Sequence, residues 1–183
     1  MTVRSMSEVL GVMGDDLLVL LDDILRVGVS TYASTPPHLL IEHDKRAQAN
    51  ATYAHIVAEA ERRFESAPGV RFVNIRGLKL WWFREPNVVV SFKKMNKYGG
   101  VQRHDSIQQR NFDYQRPLEG IPPEPTRLRV GYLLDEMSGY VRTQVASPNG
   151  KRMLWCAAVQ PPEFRTDGQA IWYDVAEQIQ LVG

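Results

Sequence analysis

VRFVNIRGLKLWWFREPNVVVSFKKMNKYGG, residues 70–100, is where the period of the chain changes from helical to alternating. Residues 70–77, 78–85 and 87–97 read as three successive strands. They are rich in β-branched and aromatic side chains and are punctuated by Gly77 and by the Glu85-Pro86-Asn87 turn. Alternation places Leu78, Leu80, Trp82 and Arg84 on one face of the second strand, with Lys79, Trp81 and Phe83 on the other. In the third, Val88, Val90, Phe92 and Lys94 oppose Val89, Ser91, Lys93 and Met95. Neither face is purely basic. The aromatics therefore read as core or cross-strand partners, and the polar end at 93–104 as free surface.

Upstream the pattern is helical. Val9, Leu10, Met13, Leu17, Leu20, Leu21, Ile24 and Leu25 recur at helical spacing through 8–26, and Asp15/Asp16 and Asp22/Asp23 fall on the other side. The apolar face is broad for a first element, and it suits either the core or another subunit. Leu17, Leu20, Leu21 and Ile24 are the candidate partner contacts. After the loop STYASTPP, residues 38–66 read as one longer helix that Ser66-Ala67-Pro68-Gly69 ends.

Downstream of 100 the chain is rich in Gln and Arg, with a short helix expected around 105–115 and a rigid proline connector, IPPEPT, at 121–126. Residues 127–136, 140–148 and 152–160 read as three more strands, the last two joined through Asn149-Gly150. A final helix is expected in 168–180. The reading is an α+β fold: a curved, mainly antiparallel sheet of about six strands, N-terminal helices across one face, and a short C-terminal helix. One domain over 1–183 is expected, with 1–35 an amphipathic helix and loop suited to interaction and 36–183 the core.

Composition narrows the class. With 44% hydrophobic residues the 183-residue chain can bury a core, no apolar run reaches the roughly 18 residues of a membrane span, and the N-terminus lacks a signal-peptide layout, so a cytoplasmic protein with no membrane partner is expected. The lone Cys156 sits in an apolar strand beside Trp155 and reads as a packed core thiol. The net charge of +1 hides a division: residues 1–66 carry −4, 71–116 carry +7 and 117–183 carry −2. Such segregation steers anionic partners when the cations share a surface.

Few catalytic patterns are available. His38/Glu42 and His55/Glu59 have i,i+4 spacing, but no third ligand follows by spacing, so they read as solvated helix faces and no metal is expected. The sequence has no HExxH, CxxC, GxSxG or phosphate-loop motif; no catalytic residue is assigned and no cofactor is expected. Binding chemistry is better supplied. Lys79, Arg84, Lys93, Lys94 and Lys97 offer charge for phosphates, and Trp82, Phe92 and Tyr98 offer rings for base stacking. The candidate binding residues are Lys93, Lys94, Asn96, Lys97, Tyr98, Arg103, His104, Gln108, Gln109 and Arg110, continued by Arg116.

Two resemblances bear on function. The order of helix, three strands, helix and strand resembles the restriction-endonuclease-like fold, which implies an acid near the second strand and an acid-x-Lys pair on the third. Here Ser91-Phe92-Lys93 stands where that pair is expected and Glu85 falls in a turn, so the implied form is a degenerate, binding-only one. The stretch from VSFKKMNKYGG (90–100) through RPLEGIPPEPTRLRVGYLLDE (116–136) resembles a family of small bacterial and prophage proteins often encoded beside helix-turn-helix regulators and metallopeptidases. It implies a role in a regulatory, toxin–antitoxin or phage-defence locus. The leading expectation is a non-enzymatic component that binds a protein partner and leaves room for a homodimer. The alternative is a nucleic-acid-binding protein working through 93–116.

Overall fold

Ser5 starts the first helix with a reciprocal cap: its hydroxyl accepts from the Glu8 amide, and the Glu8 carboxylate accepts from the Ser5 amide at 2.7 Å. That helix, α1 (Met6–Ala33), kinks at Gly14, whose φ of 72° lies outside helical space. The computed structural model describes residues 4–102, 106–135 and 139–176. The helix expected over 38–66 is divided: α2 (Pro37–Leu40) is a single turn, and α3 (Lys45–Phe64) begins afresh where Asp44 Oδ1 accepts from the Ala47 amide at 2.7 Å. Among the described residues no helix is long and apolar enough to cross a membrane.

Among the described residues seven strands form one sheet in chain order: β1 (Val70–Ile75), β2 (Leu78–Phe83), β3 (Val88–Lys94), β4 (Thr126–Asp135), β5 (Gly139–Asn149), β6 (Arg152–Val159) and β7 (Trp172–Asp174). Every neighbouring pair is antiparallel except β3 and β4, which are parallel. A parallel neighbour requires a crossover. The chain makes one through 95–125, which carries α4 (Ile107–Asp113).

Where 168–180 reads as a helix from sequence, Trp172–Asp174 instead pairs with β6 at Val159↔Trp172, Ala158↔Tyr173 and Ala157↔Asp174. The apolar edge of β6 outweighs the helical pattern there. Residues 177–180, the last part of that expected helix, lie outside the described residues.

The two sheet faces are covered differently. Trp81, Phe83, Val88, Val90, Phe92, Leu128, Val130 and Tyr132 pack with Leu10, Leu21, Ile24, Leu25, Ile56 and Ala60 of α1 and α3. The alternating residues Leu78, Leu80 and Val89 pack instead with Phe112, Leu118 and Ile121 of the crossover, which therefore lies on the opposite face. The aromatics of 81–92 thus belong largely to the core: Trp81 and Phe92 meet edge to face at 5.1 Å, as do Phe64 and Phe83.

One expected surface residue lies inside. Asp22 is fully buried where α1 crosses the sheet. Its carboxylate accepts from Arg26 Nε at 2.9 Å, Tyr140 Oη at 3.0 Å, Thr143 Oγ1 at 2.7 Å and Arg165 Nη2. Residues from β5 and from the segment after β6 therefore hold α1 in place through one buried charge.

Candidate functional site

The crossover face carries the polar chemistry. Along β3 and β4 the register pairs Val89 with Arg127, Ser91 with Arg129 and Lys93 with Gly131, so Ser91, Lys93, Arg127 and Arg129 occupy adjoining positions on that face. Arg127 and Arg129 are fully buried. Arg129 donates from Nε at 3.1 Å and Nη2 at 2.5 Å to Asp113 Oδ1, its guanidinium lies 4.9 Å from the Phe112 ring centroid, and the Gln109 amide oxygen accepts from it. Thus α4 is fastened to the sheet by Phe112, Asp113 and Gln109 together. Gln115 completes the attachment, accepting from the Arg127 amide and donating to the carbonyls of Arg127 and Pro148.

Above this floor the loop 95–101 folds on itself. Asn96 Oδ1 accepts from the amides of Tyr98 and Gly100, both at 2.9 Å, and the Lys97 carbonyl accepts from Arg142 and Gln144 of β5. Gly99 is needed at the contact: its φ is 77°, and a Cβ there would fall 3.1 Å from Cys156 Cβ and 3.2 Å from Ala146 Cβ. A cleft of about 300 Å³ remains between the loop, α4 and the β5–β6 turn, lined by Tyr98, Gly100, Val101, Asp113, Gly150, Lys151 and Met153. Tyr114, at the end of α4, rests its ring on Gly150 beside the same cleft.

Two exposed rings, each beside a cation, lie at its rim. Tyr98 is 52% exposed with Lys97 Nζ 5.0 Å from its centroid, and Tyr114 is 42% exposed with the Arg116 guanidinium at 4.9 Å. Lys97, Arg110, Arg116, Lys151 and Arg152 all face solvent.

The sequence-level candidates divide accordingly. Lys94, Lys97, Tyr98 and Arg110 are exposed, and Gln108 is half-buried. Lys94 lines a separate hollow with Lys45, Gln48, Leu134 and Asp135. Asn96 is exposed but spends its side-chain oxygen on the turn. Gln109 is buried against Arg129 and offers nothing to a partner. Lys93 is half-buried, 5.8 Å from the Tyr53 ring centroid; burial pushes its pKa down, Arg129 adds to that, and Asp113 opposes it. Arg103 and His104 lie outside the described residues.

Of the candidate partner contacts, Leu21 and Ile24 are fully buried in this chain's own core, because the sheet already fills that side of α1. Leu17 and Leu20 are half-buried and line a groove with Val12, Phe64, Val70 and Phe83. Sequence reasoning missed Tyr114, Lys151, Arg127 and Arg129. Tyr114 and Lys151 carry no local signal because only the fold brings the α4 terminus to the β5–β6 turn.

Little here is arranged for covalent chemistry. Among the described residues no three His, Cys, Asp or Glu side chains converge as a metal site. Glu59 is occupied by Arg62 and Arg63, and His43 stacks on Tyr32. Burial pushes the Cys156 thiol up to about 12, the wrong direction for a nucleophile. Comparison of the chain with protein-family models, with curated proteins and with solved structures returned no match.

Proposed function

We propose that this protein binds single-stranded nucleic acid across the cleft between the 95–101 loop, α4 and the β5–β6 turn. The observation that carries the reading is the placement of two exposed, cation-flanked tyrosines, Tyr98 and Tyr114, at one cleft whose rim holds Lys97, Arg116 and Lys151. Stacking on such rings contributes about 1–3 kcal/mol per base and tolerates any sequence, while the cations neutralise phosphates. The wider reading, a component of a bacterial regulatory, toxin–antitoxin or phage-defence locus, suits a small binding protein of this kind.

Anisotropy of a labelled single-stranded oligonucleotide tests it. Affinity should fall steeply with salt, drop roughly 5- to 100-fold in Tyr98→Ala, and drop with a shallower salt slope in Lys97→Glu/Lys151→Glu. Absence of binding at low salt, or variants that bind like wild type, would refute the proposal.

A second reading, contact with a protein partner, is favoured by the groove beside α1. Val12 is 55% exposed there next to Leu17, Leu20 and Phe83, with Asp16, Glu85 and Arg63 also lining it, so the occupant it suits is an apolar segment with charged flanks. A complex of this kind should survive salt and fail in Val12→Asp, the reverse of the nucleic-acid response.

A further inference from the structure

Ser91, Arg127 and Arg129 occupy adjoining positions of β3 and β4 beneath the crossover, and Asp113 of α4 meets Arg129 there. Arg127 and Arg129 bring two guanidinium groups to that face, and the Asp113 carboxylate accepts from Arg129. Arg127 is fully buried, yet its Nε and both Nη atoms have no hydrogen-bond partner among the described residues. Ser91, 1% exposed and in register with Arg129, likewise has a hydroxyl without a partner. A buried guanidinium left with five unused N–H donors is among the costliest arrangements in a folded interior. Neighbouring positions on such strands lie on the order of 5–7 Å apart, a span one tetrahedral oxyanion can bridge.

We infer that Ser91 and Arg127, supported by Arg129, form a buried phosphate-binding site beneath the crossover. Among the described residues the donors of Arg127 and Ser91 have no acceptor, and a tetrahedral oxyanion offers several at once, more than a single carboxylate does. The Arg127 fork suits two phosphate oxygens at once, and the Ser91 hydroxyl suits a third. The surface cleft reaches the same cluster through Asp113, which lines it and holds Arg129. The phosphate is either a free ion or the phosphate of a nucleotide, and the two are separable by experiment. The inference does not depend on the nucleic-acid reading, since Tyr98, Lys97 and Lys151 play no part in it.

The test is thermal unfolding of the full chain at constant ionic strength, with inorganic phosphate, a nucleoside 5′-monophosphate or chloride as the varied anion. At about five times the dissociation constant, phosphate should raise Tm by about 2–4 °C over chloride. A larger rise with the nucleotide at equal concentration assigns the phosphate to a nucleotide; an equal or smaller one assigns it to the free ion. Arg127→Met should abolish the response while raising Tm in chloride, because it removes an uncompensated charge. Ser91→Ala, a smaller change that keeps the fold, should weaken the phosphate affinity several-fold. Lys97→Glu/Lys151→Glu should leave the response intact even where oligonucleotide binding is lost. No rise over chloride with either phosphate, or a rise that persists unchanged in both Arg127→Met and Ser91→Ala, would overturn the inference.

Discussion

Removal of the Asp22 carboxylate probes the central joint of the fold. The Asp22→Ala variant removes the acceptor of four donors, Arg26 Nε, Tyr140 Oη, Thr143 Oγ1 and Arg165 Nη2, and only the two hydroxyls, which also meet each other, keep a partner among the four. Thr143 is fully buried, and the Arg165 side chain is only 17% exposed, so water cannot replace the lost acceptor without opening the α1–β5 contact. Breaking a buried ion pair by deleting one partner costs about 3–5 kcal/mol, a large share of the roughly 5–15 kcal/mol that holds an ordinary domain together. For a chain of this length the midpoint of thermal unfolding should fall by roughly 6–20 °C. Urea denaturation followed by tryptophan fluorescence gives the free energy directly, with the slope expected to stay constant. Asp22→Asn, which keeps an acceptor but not the charge, should lose less. Combining Asp22→Ala with Arg165→Met should recover at least about 1 kcal/mol, because the guanidinium is then no longer stranded. A loss under about 1 kcal/mol in the single variant, or no recovery in the double, would show that Asp22 does not anchor α1 as described.

Other parts of the molecule make equally definite predictions. Gly28→Ala should destabilise by about 1–3 kcal/mol, because its Cβ would lie 2.8 Å from the Ile56 backbone where α1 meets α3; the usual helix-propensity gain from this change would instead mean that the helices are not in such close contact. Burial pushes the Glu59 pKa up, but the hydrogen bonds and charges of Arg62 and Arg63 outweigh it and hold the carboxyl below its ordinary value. A depressed carboxyl contributes stability at neutral pH that is lost as pH falls from the ordinary carboxyl range through the folded value. Wild type should accordingly exceed Glu59→Gln in stability at pH 7, with the gap closing below about pH 4; a constant gap across that range would contradict the pairing. Cys156, with its thiol raised by burial, should resist an aromatic disulfide reagent at pH 8 in the native protein and react promptly in denaturant. Fast native-state labelling would show that the 95–101 loop does not cover it.

Much of this fold was legible because it follows from local periodicity. The helix at 8–26 and the strands at 70–97 announce themselves through spacing, and Gly77, Asn87 and Gly150 mark turns where the backbone takes positive φ. The aromatic pairs of β2 and β3 could be assigned to the core from alternation alone. The division of the second helix was less visible, since Asp44 had to be recognised as a cap within an otherwise helical composition.

What the amino-acid order determined by itself is the set of elements, the amphipathic sides of α1 and α3, and the location of positive charge in the middle of the chain. Only the tertiary structure decided which of those charges meet. Arg127 and Arg129 look like ordinary outward cations of an alternating strand until the crossover buries them, and Asp22 looks like a solvated acid until β5 closes over it. Tyr98 and Tyr114 became neighbours of one cleft because the parallel β3–β4 connection carries both across the same sheet face. The physical reason is common to all three. Periodicity reports how a segment sits on its own axis, whereas burial and charge pairing depend on a partner contributed by another part of the chain.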